Sequence, residues 1–422
     1  MKIAFVVSFF DFRNDVRRVI AEVAAQQEVV VFSKAEQAGV IQKYIPPQVE
    51  FRLIQERQST PWNRFWERFY LLFKRLPQSR SNFFLMELFK VSNNPDPVQQ
   101  AKGRRLLQWI QRLPKFLSYD TYLRQLRYQQ GTLLDDIDHF ICFTAIADDY
   151  LLARLIREKK AVRVYVYSWD HPCKHTCFSK KVKYLCWSEG IRADVVSLQG
   201  IEPAQVKVLG ASQFGYINEY KRHAPMPAPK YPFPYVYFGC AIGITDLVPD
   251  ELRRVKVLAQ VLAQAQPTWR LVVRPYPVLT NWTYYEELRQ LPNLVLDDDF
   301  RGSDTSVSEV HIHQKYATIE QAEAFFHLGT TMGLEACFTG TPSFILDFGY
   351  STQEGLSLYN FIHQYQNDRH LINLAPQNAV KSEEALRAVL EDPTQPKYQE
   401  LNQLVQQQYP LKSFTELVQG LI

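Results

Sequence analysis

With 422 residues and 46% apolar content, the chain is long enough for two ordinary domains with real cores, which excludes a disordered or low-complexity class. Its net charge of +4 is modest but unevenly spread: residues 61–130 hold thirteen Lys/Arg against four Asp/Glu, or +9, leaving −5 on the rest. No apolar run reaches the roughly 18–20 residues of a membrane span, and six cysteines without framework spacing argue against a disulfide scaffold and for free thiols in a reducing cytoplasm.

The opening, MKIAFVVSFFDFRND, is too short for a signal peptide and meets charge at Asp11. Residues 2–8 read as an apolar strand and 9–14 as the loop at its C-terminal end. Val16, Val19, Ile20 and Val23 then recur at helical spacing, and 29–32 is the next strand. This βαβ opening lacks GxGxxG, so a dinucleotide is not expected here. Ligands of open α/β sheets sit beyond strand C-termini, which puts Ser8 and Asp11 toward a cleft, although Asp11 also suits a helix cap.

Residues 60–130 break the α/β rhythm. WNRFWERFYLLFKRL and RRLLQWIQRLPKFL both read as basic amphipathic helices. Their aromatics either bury against the first domain as a cap on the cleft or lie at headgroup depth on an anionic membrane. No nucleic-acid fold signature accompanies them, so no nucleic acid is expected as partner.

The pattern resumes with a strand at 139–143, a helix at 145–159 and a strand at 162–167, ending in Ser168, Trp169, Asp170, His171 and Pro172. Strands at 183–186 and 206–209 bracket a helix at 189–198. HPCKHTC (171–177) does not match a zinc spacing, and no metal is expected. Residues 223–234 hold five prolines and read as a semi-rigid linker between domains.

A second sheet then begins with a strand at 235–239, a loop at 240–246 and a helix carrying Leu252, Val255, Leu258 and Leu262 on one face. A strand at 269–273 runs into Arg274, Pro275, Tyr276 and Pro277. A helix at 282–291 and a strand at 293–296 follow, and Asp297, Asp298 and Asp299 read as a solvated turn. The buried strand at 324–328 ends in Gly329, Thr330 and Thr331, and a helix carrying Glu335 follows. A strand C-end opening onto a helix N-terminus offers free amides and a positive dipole end, a seat for phosphate. Glu335 is placed to accept from sugar or ribose hydroxyls. The same spacing suits any βαβ unit, with Thr as cap and Glu favourable near the dipole. Gly340-Thr341-Pro342 launches a strand at 343–346, and amphipathic helices at 382–422 close the chain.

The run YVYSWDHP…YLCWSEGIRADVVSLQGIEPAQVKVLGASQFGY, then RPYP and TTMGLEACFTGTP, resembles the ordered motif set of bacterial surface-carbohydrate (capsule or lipopolysaccharide-type) glycosyltransferases of GT-B fold. The resemblance covers roughly residues 138–347. It implies two Rossmann-like domains facing a cleft: an acceptor-side domain at 1–222 with a helical insertion at 60–130, the linker 223–234, and a donor domain at 235–422 whose last helices pack back on the first. The implied activity is transfer from a nucleotide sugar, with no other cofactor and no metal, on the cytoplasmic face of the membrane. Arg274 would be the cation facing the leaving group. Thr330, Thr331 and Gly333 would donate to phosphate, Glu335 would hold hydroxyls, and the loop with Gly243 would approach from the other side. Tyr276 stands where the family has His. Asp170, His171 and Asp11 are the groups available as base, Asp170 foremost. The alternatives are a polyol-phosphate transferase or sugar-nucleotide epimerase on the same fold, or a non-catalytic scaffold at a membrane surface.

Overall fold

A computed structural model of the protein describes residues 1–9, 11–69, 96–112, 118–143, 148–174, 178–223, 228–277, 279–299, 308–353, 357–364 and 369–422. The chain forms two compact units, Met1–Gly215 with Lys412–Ile422, and Tyr216–Leu411.

In the first unit, β1 (Lys2–Val6), β2 (Glu28–Ser33), β3 (Glu50–Leu53), β4 (His139–Phe143), β5 (Ala161–Tyr165), β6 (Lys183–Cys186) and β7 (Val206–Val208) form one sheet. Their order is β3-β2-β1-β4-β5-β6-β7, and every pairing is parallel. The strands are continuous apolar runs because a parallel sheet is covered by helices on both faces. Ala4, Phe5, Val6, Val30, Val31 and Phe32 are all at 0% exposure. β3, with the sequence EFRL, escapes the sequence reading because it is an edge strand held largely by charge. Arg52 bonds Asp136 at 2.6 and 2.7 Å and Glu50 at 2.6 and 3.0 Å.

In the second unit, β8 (Tyr235–Gly239), β9 (Arg270–Arg274), β10 (Leu294–Leu296), β11 (Ala324–His327), β12 (Ser343–Leu346) and β13 (Ala379–Val380) form a parallel sheet ordered β10-β9-β8-β11-β12-β13. Both sheets thus start centrally, run outward to one edge and return to the other side. Each has a topological switch point, β1/β4 in one and β8/β11 in the other, where ligands of such sheets bind.

The unit boundary falls earlier than the proline-rich stretch where the sequence places it. The helix Gly215–His223 belongs with the second unit from Tyr216 on: Tyr220 donates to Glu320 at 2.6 Å and Lys221 to the Phe338 carbonyl at 3.0 Å. Tyr231 and Phe233, expected in a linker, pack on the core around Tyr235 and Phe325. The closing helix Phe414–Leu421, with a full capping box of Ser413 and Glu416, returns to the first unit. There Arg18 lies over the Phe414 ring at 5.7 Å, and a Cβ on Gly215 would meet that ring at 2.7 Å. Arg163 donates to the Leu421 and Ile422 carbonyls.

Of the basic segment, the helices Pro61–Arg68 and Pro97–Arg112 are described, and the rest of both amphipathic runs lies outside the described residues. Asn63 anchors the first of them: it is buried, donates to the carbonyls of Gln58 and Arg127 at 2.6 Å each, and accepts from the Arg127 amide at 2.9 Å. Trp62, Phe65 and Trp109 are not buried as a capping face would be; they are 39%, 51% and 51% exposed. Among the described residues, no helix is long and apolar enough to cross a membrane.

Candidate functional site

At the C-terminal ends of the first sheet, β1 turns through Ser8 and Asp11 into the helix Asn14–Ala24. Asp11 is 3% exposed and accepts from the Ser8 hydroxyl at 2.7 Å. Burial pushes its carboxyl up to about 6, against the opposing pull of Ser8 and Arg13. One turn on, Asp15 accepts from Ser212 Oγ at 2.5 Å and from the Tyr167 hydroxyl at 3.0 Å. Burial raises Asp15 and Tyr167 as well. Tyr165, at the end of β5, donates to the Gly210 carbonyl at 2.9 Å and accepts from the Ser212 amide at 2.7 Å. The loops after β1, β5 and β7 are therefore tied together by buried hydroxyls around two acids. The sequence reading missed Asp15, Tyr167 and Ser212; an acid four residues after Asp11, in the first turn of the helix, was the available signal. Asp170 is also buried, accepting from Ser168 Oγ at 2.7 Å, and His171 opens the short helical turn His171–Lys174. The remainder of HPCKHTC, 175–177, lies outside the described residues. The described cysteines Cys142, Cys186, Cys240 and Cys337 are buried free thiols.

In the second unit, β8 ends at Gly239, where a Cβ would strike the Phe325 ring at 2.7 Å. The loop that follows is clamped from below by Glu251, which is fully buried and accepts from the Ala241 amide at 2.7 Å. Burial raises Glu251 to about 7 despite that bond. Gly243 lies against Tyr276, whose ring would be 2.9 Å from a Cβ there. Arg274 ends β9, and its carbonyl accepts from the Cys240 amide at 3.0 Å.

Asp297 is not in a solvated turn. It is 3% exposed and bonds Lys230 Nζ at 2.6 Å and the Tyr237 hydroxyl at 2.5 Å. Burial alone would raise its carboxyl, but Arg274 and Lys230 outweigh that and hold it below the usual range. Part of the Arg274 charge is thereby answered within the protein.

β11 ends at His327, which is fully buried, accepts from the Gly329 amide at 3.1 Å and is lowered to about 3 by burial, hence neutral. Its imidazole packs so closely on Gly333 that any Cβ there would clash, which explains that glycine without a phosphate. The amides expected to stand free at the start of the helix Met332–Thr339 are already engaged. Met332 N donates to Thr330 Oγ1 at 3.3 Å, Gly333 N to the Thr330 carbonyl at 3.0 Å and Leu334 N to the Thr331 carbonyl at 3.1 Å. Such i→i+3 closure is how a short helix satisfies its own terminus; the positive end of its dipole remains.

Glu335 is 4% exposed, and its Oε1 takes Lys315 Nζ at 2.8 Å. Its Oε2 is buried with no hydrogen-bond partner among the described residues. Leaving a buried carboxylate oxygen unmet costs on the order of 1–3 kcal/mol. Lys315, twenty residues upstream, was not foreseen.

Two consecutive Rossmann-type sheets with strand-end loops carrying these side chains define the GT-B class of fold. No protein-family model matches the sequence, and no curated protein matches it. Among solved structures, a putative UDP-N-acetylglucosamine 2-epimerase from Listeria monocytogenes is 10% identical, with a TM-score of 0.50 over 99% of this chain and 93% of that one. The glycosyltransferase of kitacinnamycin is 13% identical, with a TM-score of 0.49 over 99% and 97%. Anabaena HepE in complex with UDP and glucose is 9% identical, with a TM-score of 0.46 over 100% and 98%. At such identities the likeness is one of fold.

Proposed function

We propose that the protein is a glycosyltransferase that moves a sugar from a nucleotide-sugar donor to a surface-glycan or lipid-linked acceptor. The observation that carries this reading is the unmet Oε2 of Glu335, held in place by Lys315 through the other oxygen. Vicinal hydroxyls of a ribose or hexose are the donors that would complete it. Around it, Arg274, the Thr330–Thr331 turn with Gly333, and the Gly243 loop against Tyr276 surround the nucleotide, and the helix dipole faces its negative charge. As the bond between the sugar and the phosphate breaks, the electron pair leaves with the nucleoside diphosphate, and the acceptor oxygen bonds the sugar carbon after losing its proton to a base. Asp11 suits that base better than Asp170 or His171, because a carboxyl near 6 is ionised at neutral pH and still basic enough to take a proton. The scheme calls on no metal and no cofactor beyond the nucleotide sugar.

The basic segment extends the reading to an acceptor at the inner face of the cell membrane. Exposed Trp62, Phe65 and Trp109 stand among exposed Arg64, Arg68, Arg104 and Arg105, a composition suited to an anionic leaflet.

Sugar-nucleotide epimerisation is the second reading, because the Listeria structure of like fold is described as a putative epimerase. A thermal-shift screen across UDP-, GDP-, CMP- and dTDP-sugars tests both, since a ligand at 100 times its Kd stabilises by about 2.7 kcal/mol. Nucleoside diphosphate released only with an acceptor means transfer; an isomerised sugar nucleotide without one means epimerisation. No shift with any sugar nucleotide would overturn both readings.

A further inference from the structure

The first sheet carries a group of cations that the nucleotide-sugar reading does not use. Parallel pairing sets Arg163 of β5 opposite Lys183 of β6, and Leu185 of β6 opposite Lys207 of β7. Residues paired across strands share a face, as do alternate residues along one strand. Arg163, Lys183, Leu185 and Lys207 therefore all project to the same side of the sheet. Tyr165, paired with Leu185, shares that side and lines a small apolar cavity with Leu417 and Leu421 of the closing helix.

That helix covers only part of the face. Its last turn comes so close at Gly420 that a Cβ there would strike the Leu209 side chain at 2.5 Å. Next to it, Gln419, Gly420 and Ile422 line a second cavity of about 280 Å³ together with Arg163, Lys183 and Lys207. One water needs only roughly 10–15 Å³, so a ligand of several heavy atoms has room.

Helices on both faces normally make the strands of a parallel sheet apolar. Here three cations stand in an uncovered corner, the arginine half-buried and both lysines exposed. Arg163 Nη1 donates to the Leu421 carbonyl and, at 2.8 Å, to that of Ile422. The other guanidinium nitrogens and both lysines make no hydrogen bond or ion pair with a described residue. Counting a full negative charge on Ile422 still leaves two of the three positive charges unanswered. Like charges on neighbouring strands repel, so the arrangement costs stability unless an anion joins it.

We propose that Arg163, Lys183 and Lys207 form a binding site for a phosphate group, free or carried on a small soluble molecule, on this face of the first sheet. A guanidinium donates as a fork to phosphate oxygens, and ammonium groups on either side match a dianion. The site lies wholly within the first unit, and the proposal stands whether or not the chain binds nucleotide sugars.

The test is calorimetric titration of the full chain with inorganic phosphate and with glucose 1-phosphate at low ionic strength, beside thermal melts in the same ligands. Affinity should fall by about tenfold or more when Lys183→Gln and Lys207→Gln are combined, and likewise in Arg163→Gln. Lys256→Gln, at an exposed lysine of the second unit, should leave it unchanged. The paired lysine changes remove like charges, so without ligand that variant should melt no lower than the wild type. It decides the matter even should Arg163→Gln, which also loses its bonds to the closing helix, fail to fold. Both ligands bound alike would identify phosphate itself as the ligand. Glucose 1-phosphate bound more tightly, with the same dependence on the lysines, would identify a phosphorylated small molecule. Equal binding by the wild type and the paired lysine variant means an adventitious ion only and overturns the proposal. So does the absence of heat and of a thermal shift with either ligand up to about 10 mM.

Discussion

The strand ends of the two sheets share a topology but are furnished in opposite ways. In the first unit the side chains satisfy one another: Asp15 is bonded by both Ser212 and Tyr167, Asp11 by Ser8, and burial raises both acids. In the second unit, cations and an unmet atom prevail: Lys315, Arg274 and Lys230 stand near partly answered carboxylates, and Glu335 Oε2 has no partner among the described residues. A closed network of raised acids is suited to holding a proton. An open one of mixed charge is suited to holding an anionic, hydroxyl-rich ligand. Two sheets of like topology thus differ in character through their loops alone.

The sharpest way to break that contrast is to remove the proposed proton acceptor. Asp11→Asn should lower turnover by about 10²–10⁴-fold, equivalent to about 3–5 kcal/mol, while nucleotide-sugar binding stays within about twofold. In the wild type, kcat/KM should fall with a one-proton slope as pH drops through about 6, because the base must be ionised. Donor affinity lost in Asp11→Asn would erase the division of labour between the sheets.

Glu251, a carboxyl of the second unit raised by burial, is a useful control. Its folded value of about 7 lies above the ordinary 4.5, so the proton is bound more tightly in the folded state. The fold is then favoured below about pH 4.5 and loses stability as pH rises toward 7, by about 3 kcal/mol in all. Denaturation of Glu251→Gln across pH should flatten that portion of the curve; an unchanged curve would mean that the loop clamp does not titrate.

Glu335→Gln should be the converse of Asp11→Asn. Donor affinity should fall by roughly 10- to 150-fold, that is about 1.5–3 kcal/mol, with the melting temperature of the free protein unchanged or raised. Calorimetry showing undiminished binding would remove Glu335 from the site. The smallest effect expected is at the basic segment, about 1 kcal/mol for each residue at the leaflet. Trp62→Ala with Phe65→Ala should reduce co-sedimentation with anionic vesicles, and wild-type binding should weaken as salt rises over a screening length of about 10 Å at 0.1 M. Equal recovery in the supernatant with anionic and neutral vesicles would leave the segment without a membrane role.

Much of this architecture is legible in the sequence, because buried parallel strands must be unbroken Val, Ile and Phe runs. β3 and β13 were not, since EFRL is only partly buried and β13 has two residues. Individual positions at the site were legible where residue type and place in a βα turn suffice, as for Glu335 and Asp11. What they touch was not. Asp297 reads as a turn residue until Lys230 arrives from 67 positions away, and Gly333 reads as a phosphate glycine until the His327 ring is seen against it. Likewise Lys315 carries no local signature; only the fold brings it to Glu335 from twenty residues upstream.

The return of residues 412–422 to the first unit has a consequence for biosynthesis. Chains emerge from the ribosome N-terminus first and fold domain by domain. Here Phe414, Leu417 and Leu421, which are buried in the first unit, are made after the whole of the second unit. The second unit can therefore be complete while the first still presents the bare groove of Val19, Phe143 and Leu209 where Leu417 and Leu421 will lie. The half that is translated first finishes second, and a fragment cut at Gly215 needs the final segment supplied as a separate peptide to become whole.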